Sequence, residues 1–562
     1  MSEILRQLLD GVREARPVDK SYLFFAGYLT PNGELHFGHI GGPFLRSDVA
    51  ARYLRVLGAD VCAMTASDCF ESSVAYASVT SGTAPGVIAD TYTRSAATAL
   101  AGLDIEQTVF INGSTPAYAQ RFSDLCRSLG HTLARAGRLS VRTERLFATG
   151  AARPEYAIAA FLGGTCPFCG GLESGNVCER CGMWLPAESM DRPWLPPAQH
   201  PESASPAAER QPVRSVFATA SPDLAAAEPQ GRVEPAYAYL TRDYVKHYGP
   251  VVRMTLPLPW GVPWDVPLDV PSDVPDLAAG SGPTPGSVHS SYITGKYAST
   301  RLIGQEYAER FGVDPFARDS TVTTVAIGGL DSAMGWLSML ALTGPELDFR
   351  PFDHIVVNRY MLLHGSKFST SRRHVIRVND ALDRGLSPDA IRLSLARTSP
   401  STQESDFVPE DVAKRSRDDS TLLAGALRPG ADPTGPALTV GDQRAFLDAA
   451  ADCLLRQREA FVPPRINLPA AAEALARWAQ ILRHGQPAGD PLVGREVLAV
   501  LGYPLIPRWA TAVWRSTGQH GVPGTSATSA AAEGLPLTAA IPELPPITAE
   551  ELSALVEHGR QA

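Results

Sequence analysis

Short apolar runs alternate along the first 150 residues with stretches whose apolar residues recur every three or four positions. Tyr22-Leu23-Phe24-Phe25-Ala26 is continuously apolar, the pattern of a strand buried on both faces of a parallel sheet. Thr30-Pro31-Asn32-Gly33 reads as a turn, and from about Phe37 to Leu57 the residues Ile40, Phe44, Leu45, Val49, Tyr53 and Leu54 form one helical stripe. Asp60 to Ala66 is strand-like again. Ile88, Tyr92, Ala96 and Leu100 fit a helix, Thr108 to Ile111 a third strand, and Tyr118, Phe122, Leu125, Leu129 and Leu133 a further helix. This alternation predicts a doubly wound parallel sheet of Rossmann type, with ligands beyond the carboxyl ends of its strands.

The pattern breaks and then resumes. About Pro193 to Pro235 is rich in Pro, Ala, Ser and Glu without apolar period and reads as a mobile linker or insertion; a second Pro/Gly-rich stretch covers Pro257 to Pro285. Thr323-Val325-Ile327 and His354 to Val357 read as strands flanking a helix from Ala333 to Leu342. From Pro388 onward the stripes are helical, with Trp478, Trp509 and Trp514 on core positions. The expected organisation is 1–135 and 251–365 as the two halves of the α/β domain, 136–250 as a connecting insertion, 366–410 as a loop and stem region, 411–520 as a helical bundle and 521–562 as a flexible tail.

Composition narrows the class. A 562-residue chain that is 44% apolar can bury more than one core, and its net charge of −9 argues against a coat of nucleic acid along its whole length. No run of eighteen uncharged apolar residues occurs, and Met1 to Arg6 lacks the sections of a secretory signal, so a cytoplasmic protein without a membrane span is expected. Cys62, Cys69, Cys126 and Cys453 are scattered and read as small buried hydrophobes. The other four cysteines form two CxxC pairs, Cys166/Cys169 and Cys178/Cys181, separated by eight residues. Four thiolates at that spacing suit a closed tetrahedral zinc site of structural rather than catalytic kind.

Two short motifs carry the chemistry. His36-Phe37-Gly38-His39 falls where a strand meets a helix N-terminus, a place whose free N–H groups favour an anion, with Gly38 leaving room for an adenine ring or a phosphate. Lys367-Phe368-Ser369-Thr370-Ser371-Arg372-Arg373 is a loop of cationic and hydroxyl donors suited to charge that develops at phosphorus. In this order the pair resembles the HIGH and KMSKS signatures of class I aminoacyl-tRNA synthetases, and the zinc knuckle between the two halves is similar to the methionyl-tRNA synthetases from about Ser21 to Val408. The resemblance implies ATP with Mg2+, catalytic roles for His36, His39 and Lys367, ATP contacts from Gly38, Asp331, Ser369 and Ser371, and an amino-acid site at Gly27, Tyr28, Thr30 and Asp68. In the family an Asp at the place of Asp68 receives the α-ammonium. Helix capping remains the competing account for Asp68 and for Asp331.

Departures from the family bear on substrate. Gly27-Tyr28-Leu29-Thr30 stands where Ala-Leu-Pro-Tyr is usual, Gly335 falls near an expected histidine, and the family's Trp-Leu-Asp-Ala segment with its aromatic pocket residue has no clear match in Ser290–Leu302. Thr370 replaces the second lysine of KMSKS, and the helix and Pro-Trp pair that read anticodons have no match. These changes lead to an expectation of a synthetase-derived ligase that passes an activated acyl group to a small-molecule amine or hydroxylamine, as in hydrazine biosynthesis, with a separate cupin-type partner protein. Charging of tRNA by a divergent methionyl-tRNA synthetase and an inactive zinc-bearing scaffold are the alternatives.

Overall fold

The structure is a computed structural model that describes every residue except 150–153, 197–208, 221–231, 269–281, 343–345, 370–373, 429–439, 486–488, 526–542 and 557–562. Its strands relevant here are β1 (Ser21–Leu29), β2 (Asp60–Ser67), β3 (Val109–Asn112), β4 (Leu139–Ala148), β5 (Tyr156–Ala157), β6 (Arg210–Thr219), β7 (Val251–Arg253), β8 (Thr323–Gly329) and β9 (His354–Asn358). Five of them make the central sheet in the order β9-β8-β1-β2-β3, parallel throughout. Strand order reverses between β1 and β8, so their carboxyl ends open a crevice at the switch point. Alternate residues of β1 enter two different cores, Phe24 and Ala26 one, Leu23 and Phe25 the other. Burial on both faces is what the uninterrupted apolar run of β1 required.

The supporting helices are α1 (Glu3–Ala15), α2 (Leu45–Val56), α3 (Lys296–Phe311), α4 (Leu330–Leu342) and α5 (Pro388–Thr398). Helix α1 buries Leu5, Leu9 and Val12 against helices of the C-terminal bundle rather than against the sheet. Between His39 and α2 the chain makes a π-helical turn, Ile40–Phe44, with non-helical angles at Gly42. Asp48 of α2 accepts from Arg392 of α5 at 2.6 Å and from Arg52 at 2.8 Å. Burial pushes the Asp48 carboxyl up, but Arg392 and Arg52 outweigh it and hold the group below its usual value. This completely buried ion pair clamps the bundle to the sheet. Removing one partner would leave an uncompensated charge at a cost of about 3–5 kcal/mol.

Two expectations need correction. Within the stretch taken for a linker, β6 runs for ten residues and pairs antiparallel with β4 along its whole length, with β5 and β7 at the edges of the four-stranded sheet. Only Val213, Val216 and Ala218 of β6 bury apolar side chains, too sparse a signal among its polar neighbours. In the presumed flexible tail, Ala549–Leu555 is a helix capped reciprocally by Thr548 and Glu551. It buries Leu552 and Leu555 and packs on helix Pro409–Leu427. Trp478, Trp509 and Trp514 are buried in the bundle core, and all four scattered cysteines are buried. No helix among the described residues is long and apolar enough to cross a membrane.

Candidate active site

A cavity of about 370 Å³ opens at the switch point. Gly27, Tyr28, Thr30, His36, Gly38, His39, Asp68, Asp331 and Lys367 all line it, although His39 and Lys367 are far apart in sequence. Ser369 is outside the lining; its backbone pairs with that of His374 across the loop tip. Ser371, with Thr370, Arg372 and Arg373, lies outside the described residues.

The nucleotide side is built by stacking. The rings of His36 and His39 lie 3.8 Å apart, and Phe368 of the second motif stacks on His36 at 5.2 Å. A Cβ at Gly38 would come within 3.1 Å of the His36 ring and 3.3 Å of Phe368. The absence of a side chain at Gly38 thus lets the two motifs interlock. The His36 backbone N–H donates to His39 Nδ1 at 3.3 Å, which leaves the His39 proton on Nε2. Burial, then the charge of Lys367, lowers His39 to about 4; burial and His39 hold His36 well below its ordinary value. Both imidazoles are neutral hydrogen-bond donors near pH 7. Lys367 Nζ lies 2.6 Å from Glu179 and 4.0 Å over the Tyr360 ring, so the charge is parked against the cysteine knuckle.

The knuckle itself forms the opposite wall. Ser174, Gly175, Asn176 and Val177, between the two CxxC turns, and Glu179, within the second, line the cavity. Each turn ends on a glycine with positive φ, Gly170 and Gly182, whose N–H donates back to the carbonyl of the first cysteine at 3.0 and 2.7 Å. The four Sγ atoms lie within 4.8 Å of one another, with Cys166–Cys181 at 3.8 Å and Cys169–Cys178 at 3.5 Å. A tetrahedral zinc with sulfur ligands at about 2.3 Å separates them by roughly 3.8 Å, so the thiol set fits such an ion.

The wall around Asp68, where the resemblance puts the amino acid, holds a group that the sequence reading did not include. Asp68 does not cap the helix Ser72–Ser81, because Glu71 does, accepting from Ser73 N at 2.5 Å. Asp68 instead projects into the cavity, and sequence reasoning missed the group it meets there. Lys296 Nζ, at the start of α3, stands 3.4 Å from Asp68 Oδ2 and 4.1 Å from the centroid of the Tyr28 ring. Tyr28 is fixed beneath it, its hydroxyl 2.6 Å from Thr300 Oγ1 and donating to the Lys296 carbonyl at 3.1 Å. Burial raises the Asp68 carboxyl to about 6, with Lys296 opposing the rise. A readable signal existed. Ile293, Lys296, Thr300, Ile303 and Tyr307 recur at helical spacing and all are buried, which puts a lysine inside an otherwise core-facing stripe.

A doubly wound sheet whose two separated signatures close on one cavity defines the catalytic fold of a class I aminoacyl-tRNA synthetase. Residues 23–195 and 333–424 match the family described as tRNA synthetases class I (M). The chain is methionyl-tRNA synthetase-like. It is 27% identical over 419 residues to the methionine–tRNA ligase of Chloroflexus aurantiacus, covering 70% of this chain and 66% of that protein. The figures for the Kineococcus radiotolerans enzyme are 26%, 70% and 65%, so the matched region spans just under two thirds of these relatives' own length. The fold superposes on Mycobacterium tuberculosis methionyl-tRNA synthetase bound by methionyl-adenylate with a TM-score of 0.66 at 16% identity, covering 94% of this chain and 100% of that one.

Proposed function

We propose that the protein is an ATP-dependent ligase that converts an amino acid to its aminoacyl adenylate and transfers the acyl group to a small-molecule amine or hydroxylamine. The observation that supports activation most strongly is the shared cavity of His36, His39, Lys367 and Asp68. In this reading Asp68 holds the α-ammonium while a carboxylate oxygen attacks the α-phosphorus of ATP in line and the bond to pyrophosphate breaks. His36 and His39 donate neutral N–H groups to the charge that develops, and Lys367 leaves Glu179 to follow the departing pyrophosphate. Gly38, Asp331, Ser369 and Ser371 are assigned to ATP, and Gly27, Tyr28 and Thr30 to the amino acid. Mg2+ entering with ATP would neutralise charge on the phosphates. Zn2+ held by Cys166, Cys169, Cys178 and Cys181 would fix the wall that carries Glu179 and Asn176.

For the acceptor, support comes from a side chamber of about 170 Å³ that shares Asn176, Trp184 and Tyr292 with the main cavity. It is walled by Phe217, Tyr244 and Tyr248, and it holds Glu144, which pairs with Arg253 through Oε1 while its buried Oε2 has no partner. A chamber of this size admits a small amine that would attack the acyl carbon, lose its proton and release AMP. A separate cupin-type protein would then be needed to complete a hydrazine. The relatives named methionine–tRNA ligase favour a second reading, in which tRNA is the acceptor. Pyrophosphate exchange across the amino acids, followed by single-turnover transfer to hydroxylamine or to methionine tRNA, separates the two. Charging of tRNA without transfer to small amines would overturn the first.

A further inference from the structure

The pair of opposite charges at the base of the amino-acid side defines a substrate class. Lys296 is a buried cation set into a pocket wall, and α4 is shaped around it. A Cβ at Gly335 would fall 2.4 Å from Lys296 Cδ and 2.5 Å from Cε. Glycine in a helix interior is less favourable than alanine, and the lysine stem is what occupies the space it leaves. Lys296 entering from α3 and the hollow at Gly335 of α4 that receives its stem are thus one packing arrangement. Residues 196–332, which include Lys296, fall between the two segments that match the synthetase family.

Charge balance then constrains what can bind. Asp68 and Lys296 pair across the cavity at 3.4 Å. A substrate that gives its α-ammonium to Asp68 takes Lys296's counter-charge away. Methionine, or any amino acid with a neutral side chain, would take from Lys296 the carboxylate it pairs with at 3.4 Å and leave only the longer-range attraction of Asp331, and a buried charge without a close partner is costly. An amino acid with a side-chain carboxylate restores both pairs at once, its ammonium on Asp68 and its side-chain carboxylate on Lys296. The α-carboxylate stays free to face the nucleotide side. We infer that the enzyme activates a dicarboxylic amino acid such as glutamate or aspartate, with Lys296 as the residue that selects its acidic side chain. This inference deepens the activation reading above and rests on it.

The test is pyrophosphate exchange by the full chain with glutamate, aspartate, glutamine, methionine, norleucine and glutarate. An acidic amino acid should exceed glutamine and methionine in kcat/KM by about a hundredfold or more, as expected where a buried polar group would otherwise go unpaired. Lys296→Met should remove that preference and raise relative activity with methionine or norleucine. Gly335→Ala, which displaces the lysine stem while keeping its charge, should reduce glutamate or aspartate use in the same direction, and it decides the matter if Lys296→Met does not fold. Wild-type preference for methionine or glutamine would overturn the inference and leave adenylate formation standing. Equal use of glutarate and glutamate would overturn it too, because the Asp68–Lys296 pair would then remain closed. Exchange with no amino acid at all would sink the activation reading and this inference with it.

Discussion

The two sides of the cavity have different histories in the sequence. The nucleotide side is assembled from His36, Gly38, His39, Lys367 and Phe368, short motifs whose residue types announce their chemistry. The amino-acid side is assembled from Tyr28, Asp68, Lys296 and Gly335, and its decisive contact is between a lysine and a glycine that no local pattern connects. Triphosphate makes the same demand whatever amino acid is activated: neutral donors and a mobile cation. In the proposed reading the wall around Asp68 answers to one substrate, and Lys296 and the hollow at Gly335 are fitted to each other, since a Cβ at Gly335 would collide with the lysine stem.

Separating the two sides experimentally starts with the nucleotide side. His39→Ala should lower the rate of adenylate formation by about 10²–10³-fold for every amino acid that is used, because the lost donor acts where charge develops. Pyrophosphate exchange measures it, and an unchanged melting temperature shows that the fold survives. A loss confined to one amino acid would contradict the division drawn here.

pH sharpens the contrast on the other side. The ammonium anchor needs Asp68 ionised, and its carboxyl is raised to about 6 by burial, with Glu71 adding to the rise and Lys296 opposing it. As pH falls below 6 the ionised fraction drops, so KM for the amino acid should rise by about tenfold per unit. His36 and His39 are already neutral from pH 8 to 5, so in a variant with Asp331→Asn, which removes the other titrating group assigned to the nucleotide, inhibition by adenosine should stay flat across that range. Parallel changes in both affinities would remove the assignment of Asp68.

The smallest effect belongs to the contact between the knuckle and the second motif. Glu179→Ala frees Lys367 from a pair whose side chains are 34% and 48% exposed, an interaction worth at most about 1 kcal/mol. KM for ATP should fall by no more than about fivefold, with the amino-acid KM unchanged. Initial-rate kinetics at saturating amino acid would show it.

Local signals in the sequence settled a good deal. The continuous apolar run of β1 specified a strand buried on both faces, because such a strand has no polar face to show. The CxxC turns and the two nucleotide motifs were legible because metal and phosphate chemistry restricts both residue type and spacing. What escaped was non-local. Strand β6 buries so few apolar side chains that only its pairing with β4 reveals it, and the terminal helix Ala549–Leu555 is recognisable chiefly by the surface it covers. The helical stripe Ile293, Lys296, Thr300, Ile303 and Tyr307 marks Lys296 as core-facing but does not say what it meets there. Only the fold places it over Tyr28 and beside Asp68, since a salt bridge between residues 228 positions apart is a property of how β2 and α3 meet at the crevice, not of either segment alone.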